Sequence, residues 1–93
     1  MTDSQMLHVA VEGFECDVAM TRLRSWKATK MLAKTAAART DEAKAAAFIA
    51  YLDFALGEEL MARIEQAAGG DLASTEAVLG LAAQVLGAAS KNS

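Results

Sequence analysis

The sequence contains no proline, and cysteine, histidine and tryptophan occur once each. The single cysteine, Cys16, excludes an intramolecular disulfide and any metal site built from several thiolates. Aromatic residues make up only 5% of the chain, so large side chains for a core are scarce. The core candidates are Phe14, Leu23, Trp26, Leu32, Phe48, Ile49, Leu52, Phe54, Leu56, Leu60, Ile64 and the aliphatic residues of the last predicted helix.

The sequence also lacks the patterns that catalysis or metal binding requires. There is no glycine-rich phosphate loop, no Glu-x-x-His pair and no histidine or cysteine cluster at ligand spacing. In the hairpin predicted below, His8 and Cys16 point to opposite faces, which disfavours a Cys–His nucleophile pair. We therefore predict that the protein is not an enzyme and has no catalytic residues, metal site or cofactor.

Neither a secretory signal nor a membrane span is recognisable. The first residues, MTDSQM, are polar and acidic, whereas a signal peptide begins with basic residues followed by an apolar run. The best apolar candidate, AAAFIAYLDFAL, contains Asp53 and is shorter than the roughly 20 residues that cross a bilayer. We expect a soluble, cytoplasmic protein.

The most abundant signal in the chain is alanine. Hydrophobic residues make up 54% of the 93 residues, but many of them are alanines, which favour helix and carry little apolar area. A chain of this length buries about 60–65% of the surface that its unfolded form exposes. We expect a single domain over residues 1–93, with closely packed helices or surfaces that meet another chain.

The segment MLHVAVEGFECDV alternates in a way that predicts a β-hairpin over residues 6–18. With Glu12 and Gly13 at the tip, the apolar side chains share one face. The expected apolar pairs are Leu7 with Val18, Val9 with Cys16 and Val11 with Phe14; the other face pairs His8 with Asp17 and Ala10 with Glu15. A type I turn with Gly13 left-handed suits Glu12 better than a primed turn. Because a lone hairpin is marginal in water, it must dock on helices or pair with another subunit.

Four helices are predicted after the hairpin, over residues 19–38, 41–56, 58–68 and 75–89, followed by a polar tail at 90–93. Asp17 or Thr21 is the candidate cap of the first helix, and Thr40 caps the second. Gly57 and the Gly69–Gly70 pair end the second and third helices. The last helix carries an apolar stripe at helical spacing: Val78, Leu81, Ala82, Val85, Leu86 and Ala89. The predicted fold class is mainly α, a small four-helix domain with an N-terminal β-hairpin.

Charge is unevenly distributed along a chain whose net charge is −3. No acidic residue lies between residues 18 and 40, where the basic residues are Arg22, Arg24, Lys27, Lys30, Lys34 and Arg39. Lys27, Lys30 and Lys34 fall on one helical stripe near Trp26, and such a surface attracts nucleic acid or an acidic protein. The alternative is a solvated face neutralised by Glu58, Glu59 and Glu65. A pI of about 5.0 favours a protein partner over nucleic acid.

Several features in sequence order match one family. They are a hairpin reading VEGFECDV, a helix with an early tryptophan, an apolar helix ending in LGEEL, a short helix, a polar gap, a final amphipathic helix and a terminal KNS. In this order and spacing the chain resembles, over nearly its whole length, the tail assembly chaperones of long-tailed bacteriophages and prophages, particularly the small ones of Gram-positive hosts.

The resemblance implies a non-catalytic protein that binds and solubilises the tape measure protein before the tail tube forms around it. Such chaperones act in the cytoplasm of the bacterial host, need no cofactor and are absent from the finished tail. Many are made in two lengths by a programmed ribosomal frameshift, and the longer form recruits the tail tube protein. We expect a homo-oligomer with no membrane partner, and we place nucleic acid well below protein as a partner.

The family resemblance gives a meaning to the chain end, SKNS. The last two codons of a slippery sequence that reads A AAA AAC encode Lys-Asn, which is Lys91-Asn92 here. The alternative is an ordinary polar dipeptide at a solvated terminus.

For the client, the speculative binding residues are Trp26, Lys27, Lys30 and Lys34. The lysines would meet acidic positions, while Trp26, Met31 and the apolar stripe of the last helix would contribute to the core and to self-association. Two other functions remain open from the residues. One is a small helical nucleic-acid-binding regulator that uses the basic Arg22–Arg39 surface, and the other is a generic oligomeric adaptor.

Overall fold

The computed structural model describes residues 6–91, which form a β-hairpin followed by five α-helices. The strands are β1 (Met6–Val11) and β2 (Phe14–Ala19). The helices are α1 (Met20–Leu23), α2 (Trp26–Ala37), α3 (Asp41–Ala55), α4 (Glu58–Ala68) and α5 (Thr75–Lys91), with a 3₁₀ turn (Gly70–Leu72) before α5. The predicted fold class, mainly α with an N-terminal hairpin, is confirmed.

The hairpin has the predicted register throughout. Val9 pairs with Cys16, and the neighbouring pairs follow in step from Val11–Phe14 back to Leu7–Val18. Val9, Cys16 and Val18 are buried, whereas the alternate positions face solvent. The side-chain period of 2 therefore separates one apolar face from one polar face.

The turn differs from the expected type I geometry. Glu12 has φ +48° and Gly13 has φ +83°, so both central residues are left-handed. This is the pattern of a primed two-residue turn, whose twist matches the right-handed twist of the flanking strands. The match in twist outweighs the cost of placing the non-glycine residue Glu12 in the left-handed region.

The single helix predicted over residues 19–38 is wrong, because the chain breaks at Ser25. The Ser25 hydroxyl donates to the Arg22 carbonyl at 2.8 Å and accepts from the Ala28 amide at 3.1 Å. A serine that bonds its neighbouring backbone in this way competes with helix propagation and caps a new helix. The expected cap Asp17 instead lies in β2, where it accepts a hydrogen bond from His8.

The remaining helix ends follow the sequence signals. Thr40 caps α3 by accepting from the Ala43 amide at 3.0 Å, and Ser74 caps α5 by accepting from the Ala77 amide at 3.0 Å. Gly57 and Gly69 have φ +91° and +135° at the two ends of α4. Helix α5 continues through Lys91, so the predicted polar tail begins later than residue 90, and Asn92 lies outside the described residues.

The core forms where the apolar face of the hairpin meets the helices. Helix α5 packs against β1, α4 packs against α5, and α2 packs against α3. The buried residues are Val9, Cys16, Val18, Met20, Ala28, Tyr51, Leu52, Ala55, Leu56, Leu60, Met61, Ile64, Ala82, Val85 and Ala89.

Three predicted core residues lie largely in solvent. Trp26 is 75% exposed, and Leu32 and Ile49 are also exposed. All three lie in α2 or in α3 before its buried residues Tyr51, Leu52 and Ala55. The apolar stripe of α5 is correct, because Ala82, Val85 and Ala89 are buried and its other members pack against them.

The left-handed conformation of Glu12 predicts how a substitution at this position changes the stability of the protein. Replacing Glu12 with Asn should raise the free energy of unfolding by about 0.5–1 kcal/mol, since Asn tolerates the left-handed region better. The midpoint of urea unfolding measures this change. As a control, Gly13→Ala should destabilise through the backbone alone, because no atom lies within 4 Å of the added methyl group. A loss of stability in Glu12→Asn would contradict the primed turn.

Candidate functional site

Helix α2 and the first half of α3 form a helical hairpin that is mostly outside the core. We call residues 26–50 the helical arm. The two helices lie side by side and are joined by the short connection 38–40. Between residues 26 and 50 only Ala28 is buried. The arm therefore presents most of its surface to solvent although it is rich in apolar residues.

An apolar groove runs along the base of the arm, and we call it the arm groove. It has a volume of about 430 Å³ and is bordered by α1, α2, α3 and α5. Arg24 is its only charged lining residue. Its lining residues are Met20, Leu23, Arg24, Leu32, Phe48, Tyr51, Leu86, Gly87 and Ser90.

Aromatic side chains of α3 form one wall of the arm groove. The rings of Phe48 and Tyr51 stack with centroids 6.0 Å apart and an interplanar angle of 17°. Burial raises the pKa of the Tyr51 hydroxyl, so the phenol stays neutral at physiological pH. Across the groove, Leu32 is 46% exposed and is available for contact with another molecule. The groove is therefore suited to apolar side chains.

A second groove on the other side of α3 has a different character. It has a volume of about 390 Å³ and is lined by apolar residues that include Ile49 and Leu52. Three carboxylates, from Asp53, Glu65 and Asp71, also line it. The two sides of α3 thus differ in charge, because the arm groove carries only Arg24.

The predicted lysine stripe is exposed on α2. Lys27, Lys30 and Lys34 all face solvent, and among residues 6–91 no carboxylate oxygen lies within 4.0 Å of their ammonium groups. At 100° per residue, these lysines lie on the opposite side of the buried Ala28 from Leu32. The structure therefore does not bring the lysine stripe into the arm groove.

The basic residues nearest the core are partly engaged within the chain. The Lys27 ammonium lies 4.8 Å from the centroid of Phe54, and the Arg22 guanidinium lies 5.1 Å from the same centroid. Arg22 also lines a shallow depression together with Asp53 and Glu58. Glu58 is thus near part of the basic surface, as the solvated-face alternative expected, whereas Lys30 and Lys34 lie farther along the arm.

Trp26 is the first residue of α2 and the most exposed aromatic side chain described. The predicted core position of Trp26 is wrong, because α2 turns its opposite side, that of Ala28, towards the protein. Positions 26 and 30 are neighbours on a helix surface, so Trp26 lies beside Lys30. Tryptophan is enriched at the centres of binding interfaces, where its large ring is desolvated.

The arm groove itself was not predicted from the sequence. Its signal was the composition of α3, where apolar residues occur on every side of the helix from Ala45 to Ala55. A helix that is apolar all round requires cover on every side. The described chain covers only part of this one, since Ile49 and Ala50 are exposed.

The candidate reactive side chains, Cys16 and His8, lie outside the arm groove and on opposite faces of the hairpin. Cys16 is 3% exposed beneath the hairpin, and its burial raises the pKa of the thiol. His8 lies on the opposite, exposed face of the same hairpin. Among residues 6–91, no group of three or more His, Cys, Asp or Glu side chains is placed to hold a metal ion.

His8 bridges two carboxylates on the polar face of the hairpin. Its Nδ1 lies 2.9 Å from Asp17 Oδ1 and its Nε2 lies 3.1 Å from Glu15 Oε1. Only the imidazolium form donates from both nitrogens. The hydrogen bonds to Asp17 and then to Glu15 therefore raise the pKa of His8 above its ordinary 6.5.

No helix within residues 6–91 has both the length and the apolar character needed to cross a membrane. Comparisons of the chain with protein-family models, curated proteins and solved structures find no match.

The raised pKa of His8 predicts a pH-dependent contribution to stability. The contribution is fully present below pH 6.5, the ordinary pKa, and is lost as the pH rises through the higher folded-state value. The difference in unfolding free energy between wild type and His8→Gln should therefore shrink as the pH is raised through that window. Urea unfolding at a series of pH values measures this difference.

An NMR titration checks the cause of the shift, because His8 is the only histidine. Asp17→Asn should lower the folded-state pKa of His8 towards its ordinary value. An unchanged pKa in that variant would contradict the bridge.

Proposed function

We propose that this protein is a non-catalytic tail assembly chaperone that binds and solubilises the tape measure protein of a phage or prophage before the tail tube forms. The proposal starts from the family resemblance of the sequence. It places the protein in the cytoplasm of the bacterial host and outside the finished virion. The observation that supports it best is the helical arm, with its uncovered apolar groove.

The arm groove has the chemistry to hold an amphipathic helix. It offers aromatic and aliphatic walls to apolar side chains, and Arg24 at its edge can pair with an acidic residue of the client. Leu32, which is 46% exposed, would contribute on the order of 1 kcal/mol when covered, since about half of its area is already buried. Met20 also lines the groove, but it is buried and belongs to the core.

The lysine stripe and Trp26 form a second contact region on the outer side of α2. Lys30 and Lys34 would attract acidic segments of the client and guide its approach. Trp26 would supply a large, rigid contact surface next to them. A long helical client can touch both regions only by crossing α2, because they lie on different sides of that helix.

The mechanism is shielding. A long helical client exposes apolar stripes that would otherwise associate with one another. A small acidic domain that covers those stripes keeps them from self-association and adds net negative charge to the complex. No bond is made or broken, so no catalytic group, metal or cofactor is required.

The family resemblance also supports a longer, frameshifted form that recruits the tail tube protein, and a homo-oligomeric state. The frameshift signature Lys91-Asn92 concerns codons, so its support must come from the gene.

The arm groove can be tested with a matched pair of variants. Leu32→Glu places a carboxylate in the groove and should weaken co-purification of the co-expressed tape measure protein about tenfold or more, equivalent to about 1.4 kcal/mol. Leu72→Glu makes the same change at a residue that is 96% exposed and outside the groove, and should leave capture unchanged. Circular dichroism confirms that both variants fold. Equal capture by both variants and the wild type would contradict the groove as the client site.

A second variant separates the lysine stripe from nucleic-acid binding. Lys30→Glu combined with Lys34→Glu keeps the Lys27 contact with Phe54 and should reduce client capture at physiological salt. If capture is unchanged, the lysine assignment is wrong. Tight binding of duplex DNA that falls steeply with salt, and is lost in this variant, would instead favour the nucleic-acid-binding regulator. If the protein retains neither the client nor DNA, the generic oligomeric adaptor is the function that remains.

The nucleotide sequence of the gene gives an independent prediction. Codons 90–92 should contain a slippery heptamer, and an open reading frame shifted by −1 should overlap the stop and continue. A longer product should then appear when the native gene is expressed. Non-slippery codons with no overlapping frame would remove the frameshift from the proposal.

A further inference from the structure

The two outer edges of the β-hairpin differ in whether their outward backbone groups have a hydrogen-bond partner. In an antiparallel pair, residues alternate between hydrogen-bonded and non-bonded positions. The turn is closed by the bonded pair Val11–Phe14, so the next bonded pair is Val9–Cys16. It follows that residues 8 and 10 direct their backbone N–H and C=O groups outward from β1, and residues 15 and 17 direct theirs outward from β2.

The outer edge of β2 is blocked by the chain itself. Arg63 Nη2 donates to the Glu15 carbonyl oxygen at 2.8 Å. The same guanidinium lies 5.3 Å from the centroid of Phe14. This contact confirms that the Glu15 carbonyl points outward, and it occupies an acceptor that another strand would need.

The outward backbone groups of β1 have no such hydrogen-bond partner within residues 6–91, although α5 packs against this strand. Within residues 6–91, β2 is the only strand that pairs with β1, and no hydrogen bond outside their ladder reaches the backbone of His8 or Ala10. The His8 imidazole is turned towards Asp17 and Glu15 on β2, away from this edge. Exposed edges are usually protected by lysine, proline or a bulge, and residues 6–11 of β1 contain none of these.

We propose that β1 pairs antiparallel with β1 of a second copy of this chain, about a two-fold axis at Val9. Each copy adds its hairpin, so the product is a single sheet with the strand order β2–β1–β1–β2. The outward N–H and C=O groups of His8 form hydrogen bonds with those of Ala10 in the other copy. By symmetry, Ala10 of the first copy pairs in the same way with His8 of the second. The interface is isologous and therefore closed.

The apolar pattern of β1 itself indicates that its partner is a second copy of the chain and which pairing register the two strands adopt. With the axis at Val9, Val9 meets Val9, and each Leu7 meets a Val11 of the other copy. Leu7 and Val11 are only half-buried in the single chain, so this pairing completes their cover. On the polar face each His8 meets an Ala10.

The neighbouring registers are poorer. An axis at His8 places two imidazoles opposite each other and leaves Val11 without a partner in β1 of the other copy, which begins at Met6. An axis at Ala10 leaves Leu7 against Gly13. Only the axis at Val9 pairs Leu7, Val9 and Val11, the residues of the apolar face of β1, exclusively with one another.

Two measurements on the full chain test the proposal. Sedimentation equilibrium should give a mass of about twice 9.8 kDa that falls to half on dilution. Amide hydrogen exchange followed by NMR should show the His8 and Ala10 amides protected in the dimer and exchanging fast on dilution. The Glu15 and Asp17 amides, which point outward on β2, should exchange fast at both concentrations and serve as the internal control.

A pair of variants adds an independent check. Ala10→Pro removes an outward N–H that the hairpin does not use, and should yield a monomer. Glu15→Pro makes the matched change on the other edge and should remain dimeric. A monomeric wild type, or a dimer whose His8 and Ala10 amides exchange as fast as those of Glu15 and Asp17, would overturn the proposal even if Ala10→Pro fails to fold.

Discussion

The structure depends on one small apolar junction beneath the hairpin. Its five largest fully buried side chains come one each from β1, β2, α3, α4 and α5: Val9, Val18, Leu52, Ile64 and Val85. A hairpin of two strands is not stable alone in water, so these contacts hold it in place and close the helices around it. Truncating one of these side chains to alanine typically costs about 1–5 kcal/mol, a large share of the 5–15 kcal/mol that stabilises a whole domain. Helix α2 contributes none of the five, and Ala28 is its one buried residue.

The parts of the fold that could be read from the sequence are those with a strict period. The hairpin register followed from alternation, because a shift of one residue would have turned Val9 and Val18 to solvent. The turn type and the break at Ser25 could not be read in the same way. For each of these features, the competing local conformations differ by only about 1 kcal/mol. Strand twist decides the turn type, and the Ser25 hydroxyl decides the helix break. Trp26 was misplaced because periodicity identifies an apolar side of a helix without showing which side the rest of the chain covers.

The candidate site was harder to predict than the fold because it is assembled from four helices. The lysine stripe was visible in the sequence, since helical spacing alone aligns Lys27, Lys30 and Lys34. The arm groove joins Leu23 of α1 and Leu86 of α5 to residues of the arm, and this proximity exists only after the core has formed. The excess of apolar residues around α3 was the one local sign that such a surface had to exist.

The two proposed surfaces share no elements, and this bears on how the protein would act in the proposed chaperone role. The sheet edge uses β1, whereas the arm groove uses α1, α2, α3 and α5. Pairing through β1 would therefore leave both arms of a dimer free to bind. Two modest apolar grooves held on one sheet bind a long client more tightly than either groove alone, because the second contact becomes intramolecular. Each groove could still release its segment of the client separately, which the proposed chaperone role would require.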